Sequence, residues 1–247
     1  MSEDPPTGGL ELSGLSKSFG SREAVKSVSL RVNAGEVLAL FGRNGAGKST
    51  LIRLAAGVAR PDAGTVRIGG VGMATDPSRA KRKVGWVADQ PMLYEALTPA
   101  ENVAFFGELY GLSSSAARER SAALLDRLGI AHRSADPTGS LSLGMRQRVA
   151  LARALVHEPA VLLLDEPFES LDPQGQEALL ELLRSPDARE GRAVLLTTQH
   201  LELGLQLADH VGVMDRGALV KLSPREAVST VSLLRDLRKS GGGPAAG

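Results

Sequence analysis

The chain of 247 residues contains no cysteine. That excludes disulfides, thiolate metal sites and a thiol nucleophile. It also lacks a charge excess of either sign: 29 Lys and Arg stand against 28 Asp and Glu, a formal net charge of +1. A surface so balanced carries no overall electrostatic footprint for nucleic acid, and no nucleic-acid partner is expected. Long apolar runs are missing too. No segment reaches the roughly 18 consecutive apolar residues of a membrane span. The longest, near Val161–Leu164 and Ala193–Leu196, have the size of buried strands. Met1–Gly9 has neither the basic start nor the apolar centre of a secretory signal. The expectation is a cytoplasmic protein; if it works at a membrane, another chain supplies the membrane part.

What remains is a globular composition, with 43% hydrophobic and 23% charged residues. The length suits one generous domain, or a core with a smaller attached lobe. Short apolar runs (Glu36–Phe41, Val84–Ala88, Val161–Leu164, Arg192–Thr197, Val211–Met214) alternate with helical patterns such as Lys48–Ala56, Met145–Val156 and Pro173–Arg184. This alternation predicts α/β architecture with a largely parallel sheet. Earlier runs at Leu10–Ser16, Val28–Val32 and Thr65–Ile68 are spaced by turn residues and predict an antiparallel side sheet. From Thr98 to about Gly129 the pattern is helical, with Pro99 suited to a first turn. The resulting division is a core over 10–90 and 141–222, a helical lobe over 91–140, and a C-terminal helix over 223–239. The ends, 1–9 and 240–247, are read as disordered and flexible.

Two motifs carry chemistry. The first runs Gly42, Arg43, Asn44, Gly45, Ala46, Gly47, Lys48, Ser49, and matches G-x-x-x-x-G-K-[ST]. An apolar strand enters it, and a helix leaves it through Thr50. Its glycines let backbone N–H groups wrap phosphate oxygens, and the helix N-terminus adds positive potential. Lys48 is placed to reach the β- and γ-phosphates, and the Ser49 hydroxyl to ligate Mg²⁺. The second motif is Asp165-Glu166-Pro167, at the end of an apolar strand. Asp165 is a candidate Mg²⁺ holder, and Glu166 a candidate for orienting or deprotonating an attacking water. A solvated loop start is the plain alternative for the pair.

With these motifs the chain resembles the ABC-transporter ATPases over about Leu10–Leu222. The resemblance implies a P-loop NTPase (RecA-like) core with an antiparallel side sheet and an inserted helical lobe, acting on ATP with Mg²⁺. LSLGMRQR resembles the family signature L-S-G-G-Q: Leu141, Ser142 and Gly144 match, whereas Leu143 and Met145 depart. The family pairs two subunits head-to-tail, so that each signature covers the γ-phosphate held by the other. A plain helix cap is the alternative for Ser142. Phe19 matches the aromatic that stacks on adenine, with a core Phe as the alternative. The family glutamine that reaches the metal falls in register on Asp89, with Gln90 one step later, and the two stay open. The family's switch histidine falls on Gln199, with His200 next; both stay candidates. Glu169 stands where the family has a small residue.

The stretch VGWVADQPMLYEALTPAENVAFFGELYGL, with DEPFESLD and LLTTQHLELGLQLADHVGVMDRG, resembles the ATP-binding subunit of the haem exporter of cytochrome c maturation. Exporters of drugs, polysaccharides or lipids are the alternative, and a soluble regulatory ATPase a third. The resemblance implies a homodimer and an integral membrane permease as partners. Docking at the inner face of the cell membrane would run through that permease. Met92–Tyr94 and Phe105–Tyr110 would supply apolar contacts to it, with ordinary packing within the lobe as the alternative for most of them. The basic run Arg79–Lys83 reads as a solvated helix face.

Overall fold

The computed structural model describes residues 9–239. The two ends expected to be disordered lie outside these residues, apart from Gly9, which already belongs to a strand. Two long strands open the chain, β1 (Gly9–Phe19) and β2 (Arg22–Asn33). Next come β3 (Val37–Phe41), α1 (Lys48–Ala55), β4 (Ala63–Ile68), β5 (Val71–Gly72), α2 (Pro77–Lys81) and β6 (Val84–Val87). Helices α3 (Pro99–Leu109), α4 (Ser114–Arg127) and α5 (Leu143–Leu155) lead to β7 (Val161–Asp165). The rest runs α6 (Pro173–Arg184), α7 (Pro186–Arg189), β8 (Ala193–Thr197), α8 (Leu201–Leu207), β9 (His210–Asp215), β10 (Ala218–Pro224) and α9 (Thr230–Lys239).

The main sheet has the order β10-β9-β3-β8-β7-β6. Its strands are parallel from β9 to β6, and β10 returns antiparallel at the edge. The central strands VLALF, VLLLD and AVLLT are buried at every position, as a sheet covered on both faces requires. Alternate residues feed two cores. Val37, Ala39, Phe41, Leu162 and Leu164 pack with α5 and α6. Leu38, Leu40, Val161 and Leu163 pack with α1 and the side sheet. That side sheet, β2-β1-β4-β5, is antiparallel throughout.

The helical lobe is anchored at its entry. Thr98 Oγ1 accepts from the Glu101 N–H, and Glu101 Oε2 accepts from the Thr98 N–H, a reciprocal cap with Pro99 in the first turn. Buried Asn102 donates to the carbonyls of Tyr94, Leu97 and Thr98 and accepts from the Tyr94 N–H. It thereby fixes the segment between β6 and α3. Arg79 and Lys81 on α2, and Arg82 just after it, are exposed, as the solvated-face reading expects, whereas Lys83 is half-buried and donates to the Gly69 carbonyl at 3.0 Å.

Two boundaries depart from the sequence reading. No helix spans 223–239: β10 continues to Pro224, a short 3₁₀ turn covers Arg225–Ala227, and the helix starts at Thr230. The β9–β10 hairpin was not anticipated, because β10 alternates half-buried and exposed residues at a sheet edge and lacks an apolar run.

His157, just after α5, stacks on Tyr110 at 3.8 Å and its Nε2 lies 3.1 Å from the Val84 carbonyl. Burial lowers its pKa to about 4 despite that contact. A histidine depressed in the folded chain disfavours folding once the unfolded chain begins to take a proton. Stability should therefore fall as pH drops from about 6.5 towards 4, by about 2–3 kcal/mol from this group. Urea titrations of wild type and His157→Gln across that range should show a flatter pH slope in the variant. Parallel slopes would rule the assignment out.

Candidate functional site

Strands β3, β6, β7 and β8 deliver their carboxyl ends to one crevice, where open α/β sheets bind ligands. After β3 the chain turns through the glycine-rich loop into α1. Gly47 caps α1 at φ 102, and a Cβ there would stand 2.3 Å from the Ala24 carbonyl oxygen. Only glycine meets both demands. The loop borders a cavity of about 400 Å³. Phe19, Arg43, Asn44, Gly45, Ala46, Gly47, Lys48, Ser49, Thr50, Asp89, Glu166 and Gln199 all line it. Phe19 is 57% exposed at the end of β1, so it is not a core residue. An open ring face at the rim suits stacking on a planar base.

Lys48 is buried beneath the loop. Its Nζ donates to the Gly42 carbonyl at 2.8 Å and lies 3.2 Å from Glu166 Oε1. Gly42 therefore contributes a carbonyl below the loop and does not border the cavity. Glu166 Oε2 accepts from the Gln199 N–H at 2.9 Å. The Glu166 backbone is left-handed, φ 48, an uncommon conformation for a residue with a Cβ. Its N–H donates to both the carbonyl and the hydroxyl of Thr197, each at 3.1 Å.

Asp165 is 1% exposed. Its Oδ1 accepts from the Thr197 hydroxyl at 2.8 Å and the Ser49 hydroxyl at 3.0 Å, and its Oδ2 is buried without a hydrogen-bond partner. Burial holds its carboxyl above the usual range. The hydroxyls of Thr197 and Ser49 oppose this, and the neighbouring Asp89 charge adds to it. An unspent, buried carboxylate oxygen beside a serine hydroxyl is a donor set suited to a hard cation. Among the described residues there is no group of three or more metal-ligating His, Asp or Glu. A cation here would take its remaining ligands from water and phosphate, as Mg²⁺ commonly does.

Several candidates from the sequence stand apart from this cavity. Asp89 borders it, whereas Gln90 borders only a second cavity of about 580 Å³ beside Leu143 and Arg146. Gln199 borders the first cavity, while His200 caps α8 and places its ring 6.4 Å from that of Phe168. Ser142 caps α5, its Oγ accepting from the Met145 N–H at 3.2 Å, and neither it nor Gly144 lines the phosphate-loop cavity. Gly144 also has a packing reason: a Cβ there would meet the Ser170 carbonyl oxygen at 2.6 Å. Sequence reasoning missed Arg22, whose guanidinium donates to the Gly45 carbonyl at 3.0 Å and lines the cavity. It also missed Thr197, which in sequence is only a β-branched residue ending a strand.

The ABC transporter family profile matches residues 25–169. The linearmycin resistance ATP-binding protein LnrL of Bacillus subtilis (strain 168) is 33% identical over 216 residues, 87% of this chain and 69% of that protein. The doxorubicin resistance ATP-binding protein DrrA of Mycobacterium tuberculosis (strain CDC 1551 / Oshkosh) is 38% identical over 211 residues, and the methionine import ATP-binding protein MetN of Brucella abortus (strain 2308) 37% over 219. The chain spans only 63% and 59% of those two proteins. A solved ATP-binding subunit of an ABC transporter superposes with a TM-score of 0.85 at 30% identity, covering 93% of this chain and 99% of that one. A dimeric ATP-binding cassette in a post-hydrolysis state with ADP and Pi shares the fold, with a TM-score of 0.78 at 24% identity over 89% of this chain and all of that one. The phosphate loop, the acidic strand end and these likenesses agree: the chain belongs to the ABC transporter family and carries its ATPase domain.

Proposed function

We propose that this chain is the ATP-hydrolysing subunit of an exporter, working as a head-to-tail homodimer with a separate membrane subunit. The observation that carries the reading is the separation of Ser142 and Gly144 from the cavity that the same chain's phosphate loop lines. The signature's exposed helix N-terminus finds a phosphate only on a second copy. No helix among the described residues is long and apolar enough to cross a membrane. A permease partner would therefore supply the span, and would bring the chain to the inner face of the membrane. Exposed Met92, Tyr94, Phe105 and Leu109 offer that partner an apolar surface.

At the site, backbone N–H groups of the loop and the α1 N-terminus bind phosphate oxygens, and Lys48 sits beneath them as a fixed positive charge. Ser49 and Asp165 would hold Mg²⁺, with Asp89 beside them; when bound, the ion neutralises charge on the β- and γ-phosphate oxygens. Glu166 accepts a proton from the attacking water, and its carboxylate is aimed by Lys48 and the Gln199 N–H. Gln199 is assigned the contact to the γ-phosphate, since its amide can donate from the cavity wall.

For cargo we propose a bulky lipophilic molecule. The names of LnrL and DrrA support an exporter of that kind. Haem falls in this class, but its support is confined to the sequence resemblance over residues 84–112, 165–172 and 195–217, and none of the relatives named above is a haem exporter. A soluble regulatory ATPase is the second reading, favoured by Asp89, Glu169 and Gln199 standing where the family has other residues.

The test is MgATP turnover of wild type against Lys48→Ala: a large drop supports the enzyme, and equal background rates support the regulatory module. Gln199→Ala should lower turnover by on the order of 100-fold, as loss of one preorganised donor does, and by more than His200→Ala. The reverse order would move the γ-phosphate contact to His200.

A further inference from the structure

Thr197 is fully buried at the end of β8, opposite Asp165, the last residue of β7. Its hydroxyl has one proton, and Asp165 Oδ1, 2.8 Å away, can only accept while ionised. The hydroxyl must therefore donate to Asp165 and use a lone pair to accept the Glu166 N–H, at 3.1 Å. The direction of both bonds is forced. Two consequences follow. First, Oδ1 of Asp165 is occupied by two hydroxyl donors, so the carboxylate is turned with Oδ2 as its unspent oxygen. Second, the same hydroxyl helps hold Glu166 in its left-handed backbone, φ 48. That conformation is strained for a residue with a Cβ and persists only where the surroundings enforce it. The turn it creates sends the Glu166 side chain towards Lys48 and Gln199.

We propose that Thr197 is a positioning residue that sets both carboxylates at once: it presents Asp165 Oδ2 to the cation and aims Glu166 at the attacking water. This rests on the ATPase reading above. Valine preserves the shape and β-branching of Thr197 and removes only the hydroxyl. Without it Asp165 keeps one donor and can rotate, and Glu166 keeps only the backbone acceptor.

The experiment measures ATP affinity by calorimetry in EDTA and in Mg²⁺, together with steady-state turnover. In Thr197→Val, affinity in EDTA should stay within about twofold of wild type. The Mg²⁺ concentration for half-maximal turnover should rise about tenfold and kcat fall about tenfold, as loss of an outer-shell partner of a metal ligand does. KM for MgATP at saturating Mg²⁺ should change little, and Thr197→Ser should recover the Mg²⁺ response to within about threefold. Thr197→Ala, also without the hydroxyl, should match Thr197→Val. A Val variant with wild-type Mg²⁺ dependence, a Ser variant as impaired as Val, or an Ala variant that differs from Val would overturn the proposal. A wild-type chain with no Mg²⁺-dependent ATP turnover would instead sink the ATPase reading, and this one with it.

Discussion

Glu166→Gln should lower steady-state turnover by about 10³-fold, within the range ascribed to a positioned general base. It should do so without weakening ATP binding. The structure gives the reason for that split. Glu166 Oε1 lies 3.2 Å from Lys48 Nζ, so this carboxylate competes with phosphate for the lysine. A glutamine removes the competing charge, and its carbonyl can still accept from the Gln199 N–H. What it cannot do is take a proton from water. The backbone demand at φ 48 is the same for Glu and Gln, so folding should be unaffected. With binding kept and hydrolysis blocked, the proposed closed dimer should accumulate. Light scattering after gel filtration in MgATP should report twice the monomer mass for the variant. A variant that remains monomeric under those conditions would count decisively against the head-to-tail mechanism.

The second large effect is expected at Asp165. Asp165→Asn should reduce Mg²⁺-dependent turnover by at least about 100-fold, since it removes the charged oxygen placed for the cation. The same change should raise the melting midpoint at pH 7 in the absence of metal and nucleotide. These opposite signs have one cause. Burial holds the Asp165 carboxyl above its ordinary value, only partly offset by the Thr197 and Ser49 hydroxyls. A carboxyl raised in the folded chain binds more protons there than in the unfolded chain, between the ordinary aspartate value of 3.8 and its raised one. Its contribution to stability therefore declines as pH climbs through that window, and the cost is present in full above it. Asparagine avoids the cost, and its carbonyl can still accept from both hydroxyls. Calorimetric scans of the two proteins at pH 7 without Mg²⁺ would check this. A lower midpoint in the variant would mean that the ionised carboxylate is a net stabiliser. The residue then illustrates a general trade: a site prepared for a cation retains a buried charge that costs stability.

Much of the site was readable as a string, and the reason is local. A phosphate loop works through backbone N–H groups and glycine conformations, so its requirements fall on consecutive residues, Gly42 to Ser49. The acidic pair was readable because β7 is buried on both faces, and an apolar run ending in Asp165-Glu166 places charge only at its end. The cap at Thr98, Pro99 and Glu101 is local in the same way. Parallel strands buried at every position announce themselves as apolar runs. The edge strand β10 does not, since its residues alternate between half-buried and exposed, and its last two, Ser223 and Pro224, were read as the start of a helix.

Other features needed the folded chain. The choice between Asp89 and Gln90 turns on which residue borders the cavity, and adjacent residues in an irregular segment carry no periodicity to decide it. Gln199 and His200 differ in the same way: one lines the cavity and the other turns towards Phe168. Thr197 is the clearest case. Its partners are 31 and 32 residues away in sequence, and only the β7–β8 register brings them opposite it. Residue order alone sufficed for the phosphate loop, the alternating α/β core and the acidic strand end, because each depends on neighbours in the chain. The orientation of the carboxylates, and the separation of Ser142 from its own chain's phosphate loop, depend on strands and helices meeting from distant segments. No linear pattern encodes a distance of that kind.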